Sequence, residues 1–154
     1  MLKVIAFFVA LPLLAQAPKG FEFWSPASLR RTGHELSAKA ASDPHKIAAK
    51  TLVSFDTHSF MLAHREADGI AEWHANATDI IVVESGTATL VVGGTIADEK
   101  DIGNGEHRGA SVENGFKQKL APGDIIQIPP KTPHQMLLNG AKEFTYFVVK
   151  VKSE

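Results

Sequence analysis

The stretch EWHANATD, residues 72–79, places a glutamate, a histidine and an aspartate just before the apolar run IIVV. A further histidine follows the proline-rich segment PPKTP, residues 129–133. Imidazole nitrogens bind borderline divalent metals and carboxylate oxygens bind harder ones, so together they form a reasonable ligand set. Four side chains are therefore candidate metal ligands: Glu72, His74, Asp79 and His134.

Whether these side chains meet depends on the strands that carry them. Alternation along a strand places Glu72 and His74 on one side, with Trp73 facing the other way. Asp79 begins the next strand, and His134 begins another after a corner that prolines make rigid. If their shared face is the interior of a barrel, the groups converge. The alternative is a site without metal, in which Glu72 pairs with a histidine and Asp79 accepts backbone N–H groups at its turn.

Composition limits the class of protein. The chain has 154 residues, of which 44% are hydrophobic, enough for one domain with a single core. The formal net charge of -1 leaves no basic excess to neutralise phosphates, so we expect no nucleic-acid partner. The chain contains no cysteine, which excludes disulfides, thiol nucleophiles and cysteine metal sites.

The N-terminal segment MLKVIAFFVALPLLAQA is typical of a secretory signal peptide. It has Lys3, an apolar stretch over 4–14 and the small-x-small pattern AQA at 15–17. That stretch is shorter than the roughly 20 residues that span a bilayer. We therefore expect cleavage after Ala17 and a single mature domain over 18–154, secreted or periplasmic, with no membrane partner.

The mature chain begins with one predicted helix and continues with strands. Ser25 and Pro26 are typical of an N-cap and a first helical residue, and they predict a helix over 25–41. Short strands punctuated by Gly, Pro, Asn and Asp follow, a pattern typical of an all-β sandwich or barrel. The predicted strands are KTLVSF, HSFMLAHRE, TDIIVVESG, TATLVVGG, FKQKLAPGD, DIIQIP, HQMLLN and FTYFVVKV.

Two strand patterns carry further expectations. In HSFMLAHRE the even positions include the apolar Phe60 and Leu62, so we expect that face to point inward. His64, on the same face, is then either a hydrogen-bond donor to the site or a buried core residue. The runs IIVV and FVV are apolar on both faces. The outside of the sheet must therefore be covered by the helix or by a second subunit, and we expect a homodimer.

Residues 96–115, IADEKDIGNGEHRGASVENG, are polar and glycine-rich with little alternation. A connection of this length in a compact domain is usually functional or disordered. Its glycines permit movement, and His107 and Arg108 supply a titratable group and a cation that could meet an anionic ligand. The alternative is a solvated loop whose charges face water.

The motifs resemble those of the cupin family. The first family motif, a Gly followed by H-x-H, then E and G, corresponds to these residues: Gly69, Glu72, His74, Asp79 and Gly86. The second, G-x5-P-x-G-x2-H, corresponds to these: Gly123, Pro129, Lys131 and His134. Apart from a shortened first spacer, the spacings match. Glu72 stands where the first His is usual, Asp79 where Glu is usual, and Lys131 where Gly is usual.

The resemblance covers about residues 50–152 and implies a double-stranded β-helix, the jelly-roll barrel of small single-domain cupins of the conserved-barrel type. It also implies that the four candidate residues are counterparts of the family's metal ligands, around Fe, Mn, Ni, Co or Zn. Because Asp79 is shorter than Glu, it could reach a metal through water. In an alternative register, His74 and Asn76 occupy the two histidine positions of the motif. That register leaves too few residues before Asp79.

The sequence therefore predicts an exported, metal-binding cupin with a small-molecule ligand inside the barrel. Because this fold supports many functions, it names no reaction and leaves open whether the protein is an enzyme. The alternative is a metal-free ligand-binding or structural β-barrel module.

Overall fold

The structure is a computed structural model that describes residues 16–153. The predicted signal peptide, residues 1–17, lies outside this range except for its last two residues, so its cleavage stays a prediction. No helix in the described part of the chain is both long enough and apolar enough to cross a membrane.

One helix, α1 (Pro26–Ala40), precedes the strands. The strands are β1 (Ile47–Ser54), β2 (His58–Arg65), β3 (Ala71–His74), β4 (Ala77–Gly86), β5 (Ala88–Val92), β6 (Thr95–Ala97), β7 (Lys100–Asp101), β8 (Glu106–Gly109), β9 (Ser111–Glu113), β10 (Phe116–Leu120), β11 (Ile125–Ile128), β12 (His134–Leu137) and β13 (Phe144–Lys152).

The strands form two main antiparallel sheets. One has the order β1-β2-β13-β4-β11, the other has the order β10-β5-β12-β3-β8-β7, and β6 pairs with β9 in a separate ribbon. Buried side chains of both sheets pack into one core, such as Ile81 and Phe144 from the first sheet and Leu90 and Met136 from the second. The predicted all-β jelly-roll fold with a short N-terminal helix is confirmed.

The helix begins where the sequence predicts. The Ser25 hydroxyl oxygen accepts a hydrogen bond from the Ser28 N–H at 3.2 Å, and Pro26 occupies the first turn, where its missing N–H costs nothing. Leu36 and Ala40 are buried where α1 packs on β1 and β2. The helix thus covers one part of the outer face of the five-stranded sheet.

The inward direction predicted for the even-numbered face of β2 is wrong. Phe60 packs against Trp24 outside the barrel, with ring centroids 5.1 Å apart. His64 is also on this face, with its Nδ1 2.8 Å from Thr145 Oγ1. Ala63, from the odd-numbered face, belongs to the barrel core. Because the N-terminal segment buries the outer face as well, apolar side chains occur on both sides and no longer distinguish inside from outside.

Residues 96–115 are not an open loop, which corrects the expectation from their composition. They contain most of β6 and all of β7, β8 and β9, and β8 extends the six-stranded sheet by pairing with β3. In the turn between β7 and β8, Asn104 and Gly105 have φ values of 55° and 73°. Asn-Gly hairpin turns use such positive values, so this dipeptide was the local sequence signal for the hairpin.

Lys131 lies in a left-handed backbone conformation, with φ of 57°. Its N–H donates to the His74 carbonyl at 2.8 Å, which fixes the corner before β12. A residue with a Cβ costs about 1–2 kcal/mol in this region. We expect Lys131→Gly to raise the free energy of unfolding by about 0.5–1 kcal/mol, because relief of strain exceeds the added chain entropy. Urea denaturation measures this difference.

Lys142→Gly is the matched control, because Lys142 is also an exposed loop lysine but is not among the residues with positive φ. That substitution should lower stability slightly through the entropy of glycine. Equal losses of stability in the two variants would contradict the strain at Lys131.

Candidate metal centre

Glu72, His74 and His134 bring their ligand atoms within 4.8 Å of one another. β3 carries Glu72 and His74, and β12 places His134 opposite Glu72 in the same sheet. The two histidines are 5% and 3% exposed, and their ring centroids are 5.3 Å apart. Within residues 16–153, this is the only such group of His, Asp and Glu side chains that could hold a metal ion.

Asp79 reaches the same place from the other sheet. Its Oδ2 lies 3.1 Å from His74 Nε2 and 3.8 Å from His134 Nε2. Its Oδ1 lies 3.2 Å from Lys150 Nζ. Asp79 is buried and lies close to both imidazoles, but it is not part of the group whose ligand atoms lie within 4.8 Å of one another. Its role as a fourth ligand stays a prediction.

His74 lies between two carboxylates. Its Nδ1 is 2.7 Å from Glu106 Oε2, and its Nε2 faces Asp79 Oδ2 at 3.1 Å. Burial opposes the charge on the ring, but the hydrogen bond and negative charge of Asp79 outweigh it, so the pKa of His74 is raised. A neutral imidazole has one N–H. If that N–H is on Nδ1 and donates to Glu106, the oxygen of Asp79 has a partner only when Nε2 carries a second proton or a metal ion.

His134 presents Nε2 to the site. Its Nδ1 lies 3.0 Å from the Thr132 carbonyl oxygen, which can only accept, so Nδ1 carries the hydrogen and donates it. In the neutral ring the lone pair is then on Nε2, which lies 3.6 Å from Glu72 Oε1. A hydrogen bond to the far nitrogen is the usual way in which proteins orient a metal-binding imidazole.

Glu72 is held in its ionised form. Its Oε2 lies 3.1 Å from Arg108 Nη2, and its Oε1 faces His134. Burial alone would raise the pKa, but His134 beside Oε1 and the positive charge of Arg108 lower the pKa of Glu72 to about 2. The carboxylate is therefore available as an anionic ligand throughout the physiological pH range.

Two other predicted site residues lie away from the central cavity. His107 is on the opposite side of β8 from Arg108: it stacks on Trp73 with centroids 3.7 Å apart, and its Nδ1 is 2.9 Å from Glu99 Oε1. His64 lies beneath α1, and its Nε2 is 3.5 Å from a Glu66 oxygen. Neither residue lines the cavity that contains the candidate ligands. Arg108 does line it, but it is already paired with carboxylates.

The sequence reasoning missed Glu106 and Lys150. Glu106 alternates with Arg108 on the inward face of β8, next to the Asn-Gly turn, and this short alternation was a usable signal. Lys150 follows Tyr146 and Val148 along the inward face of β13. A single charge in such an apolar series is expected to have a buried partner.

Comparison with known proteins identifies the family. The family model described as Cupin matches residues 40–154. The chain belongs to the cupin family. A comparison with curated proteins gives no match.

Solved structures share the fold at low sequence identity. Protein TT1209 from Thermus thermophilus has a TM-score of 0.53 and 16% identity, over 73% of this chain and 89% of that one. A conserved protein with a double-stranded β-helix domain from Klebsiella pneumoniae has a TM-score of 0.51 and 17% identity, over 70% and 84%. A cupin 2 conserved barrel domain protein from Rhodopseudomonas palustris has a TM-score of 0.50 and 19% identity, over 72% and 65%. These likenesses show the fold alone.

The candidate ligands of this cupin line a cavity of about 370 Å³ in the barrel. Its wall also includes apolar side chains, among them Met61, Ile81 and Met136. This size lies in the range of about 300–1,000 Å³ for small-molecule sites. The cavity therefore has the volume and the mixed polarity to take a small organic molecule beside the ligand cluster.

Metal binding by this cupin should weaken as the pH falls, because a proton and a metal compete for Nε2 of His74. The pKa of His74 is raised, so affinity is full above that pKa and is lost as the pH falls through it. The loss should begin at a higher pH than for an ordinary imidazole of pKa about 6.5. Calorimetric titration with Zn²⁺ across a pH series measures the midpoint.

Asp79→Asn tests the cause of the raised pKa. The variant removes the negative charge and replaces one carboxylate oxygen by an NH2 group, so it favours protonated His74 less and its midpoint should move to lower pH. Identical midpoints in the variant and the parent protein would show that Asp79 does not control the protonation of His74.

Proposed function

We propose that this protein is an exported cupin that binds a divalent metal ion and, with it, a small molecule inside the barrel. The observation that carries the proposal is the convergence of Glu72, His74 and His134 within 4.8 Å. The Nδ1 atoms of both histidines are engaged by acceptors, which leaves Nε2 of each ring for the ion. Two imidazoles and a carboxylate suit Fe, Mn, Ni, Co or Zn.

The surroundings of the three ligands suit a bound molecule. A metal held by three protein ligands keeps coordination positions for water or substrate, and when bound it would supply a Lewis acid. Asp79 and Lys150 place a carboxylate and an ammonium group at the same cavity, 3.2 Å apart. They are available to orient a polar group or to accept and donate a proton. The cavity thus contains chemical groups that metal-dependent catalysis could use.

Export is supported by the amino-acid sequence alone. Lys3, the apolar stretch and the AQA pattern at 15–17 have the order of a signal peptide. Cleavage after Ala17 would leave α1 and every strand in the mature chain.

A metal-free ligand-binding or structural module is the second candidate function, and the ion pairs favour it. Arg108 contacts the carboxylates of Glu72 and Glu106, and Lys150 contacts that of Asp79. With His74 protonated on both ring nitrogens, three cations face three carboxylates, so the buried charges balance without a metal ion.

The metal content of the purified mature protein separates the two candidates. We expect about one divalent ion per chain and loss of most of it in His74→Ala or His134→Ala, because the remaining ligands form too weak a site. Glu72→Gln should weaken binding as well. Elemental analysis by mass spectrometry after dialysis against a chelator gives the result.

His34→Ala is the control, because His34 is an exposed histidine on α1, and this variant should keep its metal. If the double variant His74→Ala/His134→Ala still held about one ion per chain after the same dialysis, the assigned site would be wrong.

We also propose that two copies associate through the β11 side of the five-stranded sheet. β11 is an edge strand, and its Ile125 is 72% exposed next to Val82 of β4. The helix α1 packs at the other edge, on β1 and β2, and leaves this edge uncovered. An apolar edge strand favours pairing with another strand, and a second copy supplies one.

Light scattering at micromolar concentration should give the mass of a dimer, and Ile125→Lys should give that of a monomer because a charge at the edge opposes pairing. Phe116→Lys is the control: Phe116 is 67% exposed on β10, in the other sheet, and the variant should stay dimeric. A monomeric mass for the parent protein would exclude this assembly.

A further inference from the structure

A second cavity adjoins the candidate metal centre. It lies against β1, β2 and residues 67–70, and its volume is about 560 Å³. Glu72, Arg108 and Tyr146 belong to its wall and to the wall of the central cavity. A molecule in the second cavity can therefore extend towards the ligand cluster.

Arg65 is the buried cation of this cavity. It is 7% exposed, and its Nε and Nη2 donate to the Tyr146 hydroxyl oxygen at 3.3 and 3.1 Å. Within residues 16–153, no Asp or Glu oxygen lies within 4.0 Å of its guanidinium. The guanidinium carbon also lies 5.8 Å from the Tyr146 ring centroid. A phenol and a ring face replace the lost hydration of a buried ion incompletely, so a negative charge is missing here.

The Asp, Glu and Arg side chains that share the cavity wall with Arg65 already have partners. Asp68 is exposed, and its Oδ1 accepts from the backbone N–H groups of Leu138 at 2.6 Å and Asn139 at 3.3 Å. Glu72 and Arg108 pair at 3.1 Å. One cation without a carboxylate partner accommodates one negative charge. A phosphate dianion carries one more negative charge than Arg65 neutralises, and the nearby carboxylates would repel that charge.

The rest of the wall is mostly apolar. The side chains that form it include the following: Ile47, Ala49, Met61, Ala63 and Ile70. Such a wall favours a ligand with a hydrocarbon body, and a planar guanidinium favours a carboxylate, whose two oxygens match its paired N–H groups.

We propose that this cavity binds a small organic monocarboxylate, with its carboxylate on Arg65 and the Tyr146 hydroxyl and its apolar body along β1 and β2. The inference deepens the proposed small-molecule function and rests on it, but the binding of the carboxylate itself requires no metal. Gly69 belongs to the same arrangement. A Cβ at this position would collide with Arg65 Nη1, so the glycine leaves room for the guanidinium.

Hexanoate and its neutral analogue hexanamide are suitable probes, titrated by ligand-observed NMR into the full mature protein before and after removal of metal by a chelator. We expect hexanoate to bind at least about 10-fold more tightly than hexanamide, the increment of a charge-assisted hydrogen bond. Arg65→Met should abolish that difference and leave hexanamide binding unchanged. Tyr146→Phe should reduce it by a smaller factor of about 3.

Arg31→Met is the matched control, because Arg31 is an exposed arginine on α1, and it should bind hexanoate like the parent protein. If Arg65→Met does not fold, as judged by circular dichroism, Gly69→Ala provides the same test by displacing the guanidinium without removing it. That variant should show a smaller preference for hexanoate over hexanamide than the parent protein, because the added Cβ forces Arg65 Nη1 to move.

Three results would overturn the proposal: equal affinities for hexanoate and hexanamide, unchanged hexanoate affinity in the Arg65 or Gly69 variant, or no hexanoate binding up to about 20 mM. Inorganic phosphate that binds more tightly than hexanoate would also contradict it. Metal content, measured on the same samples, separates the two proposals. Protein that purifies without metal but binds hexanoate through Arg65 would contradict only the metal site. Protein that holds metal but does not bind hexanoate would contradict only the carboxylate site.

Discussion

The imidazole of His74 has a carboxylate oxygen within hydrogen-bond distance of each ring nitrogen, and much of the barrel interior is arranged around that contact. Glu106 approaches Nδ1 at 2.7 Å from the same sheet, and Asp79 approaches Nε2 at 3.1 Å from the opposite one. Buried carboxylates without partners would be costly, so each needs a cation as well. Arg108 and Lys150 supply the cations, and they too face the interior.

This arrangement explains why one geometry is compatible with two candidate functions. A proton on Nε2 of His74 satisfies Asp79, and a metal ion at the same nitrogen would do so as well while drawing on Glu72 and His134. The two states therefore differ in whether a proton or a metal ion occupies Nε2 of His74. In the cavity next to the site, a second buried charge needs a partner. Arg65 has a phenol but no carboxylate beside it.

Much of the fold and part of the site could be predicted from local pattern. The Ser25-Pro26 pair located the start of α1, and alternation correctly placed Glu72 and His74 opposite Trp73. The prediction of which face of β2 points inward was wrong, because apolar side chains on both faces of the strand hide the direction of the core. Residues 96–115 resemble a loop in sequence because strands that line a polar cavity lack apolar alternation.

The partners of the ligands were beyond local reasoning for a different reason. Glu106 faces His74 through strand pairing between β3 and β8, and Lys150 reaches Asp79 through pairing between β4 and β13. Such contacts depend on the register of strands that are distant in sequence, which no short motif specifies. The Arg65–Tyr146 contact likewise joins residues that are adjacent only through the register of β2 and β13.

The central claim is that a metal ion occupies the space between Glu72, His74 and His134. Anomalous diffraction from crystals of the mature protein grown with Zn²⁺ tests it most directly. The account predicts one strong peak about 2.0–2.2 Å from Nε2 of both histidines and from a Glu72 oxygen. A peak only at other positions, or no peak in this cavity with Zn²⁺ in excess, would contradict the account.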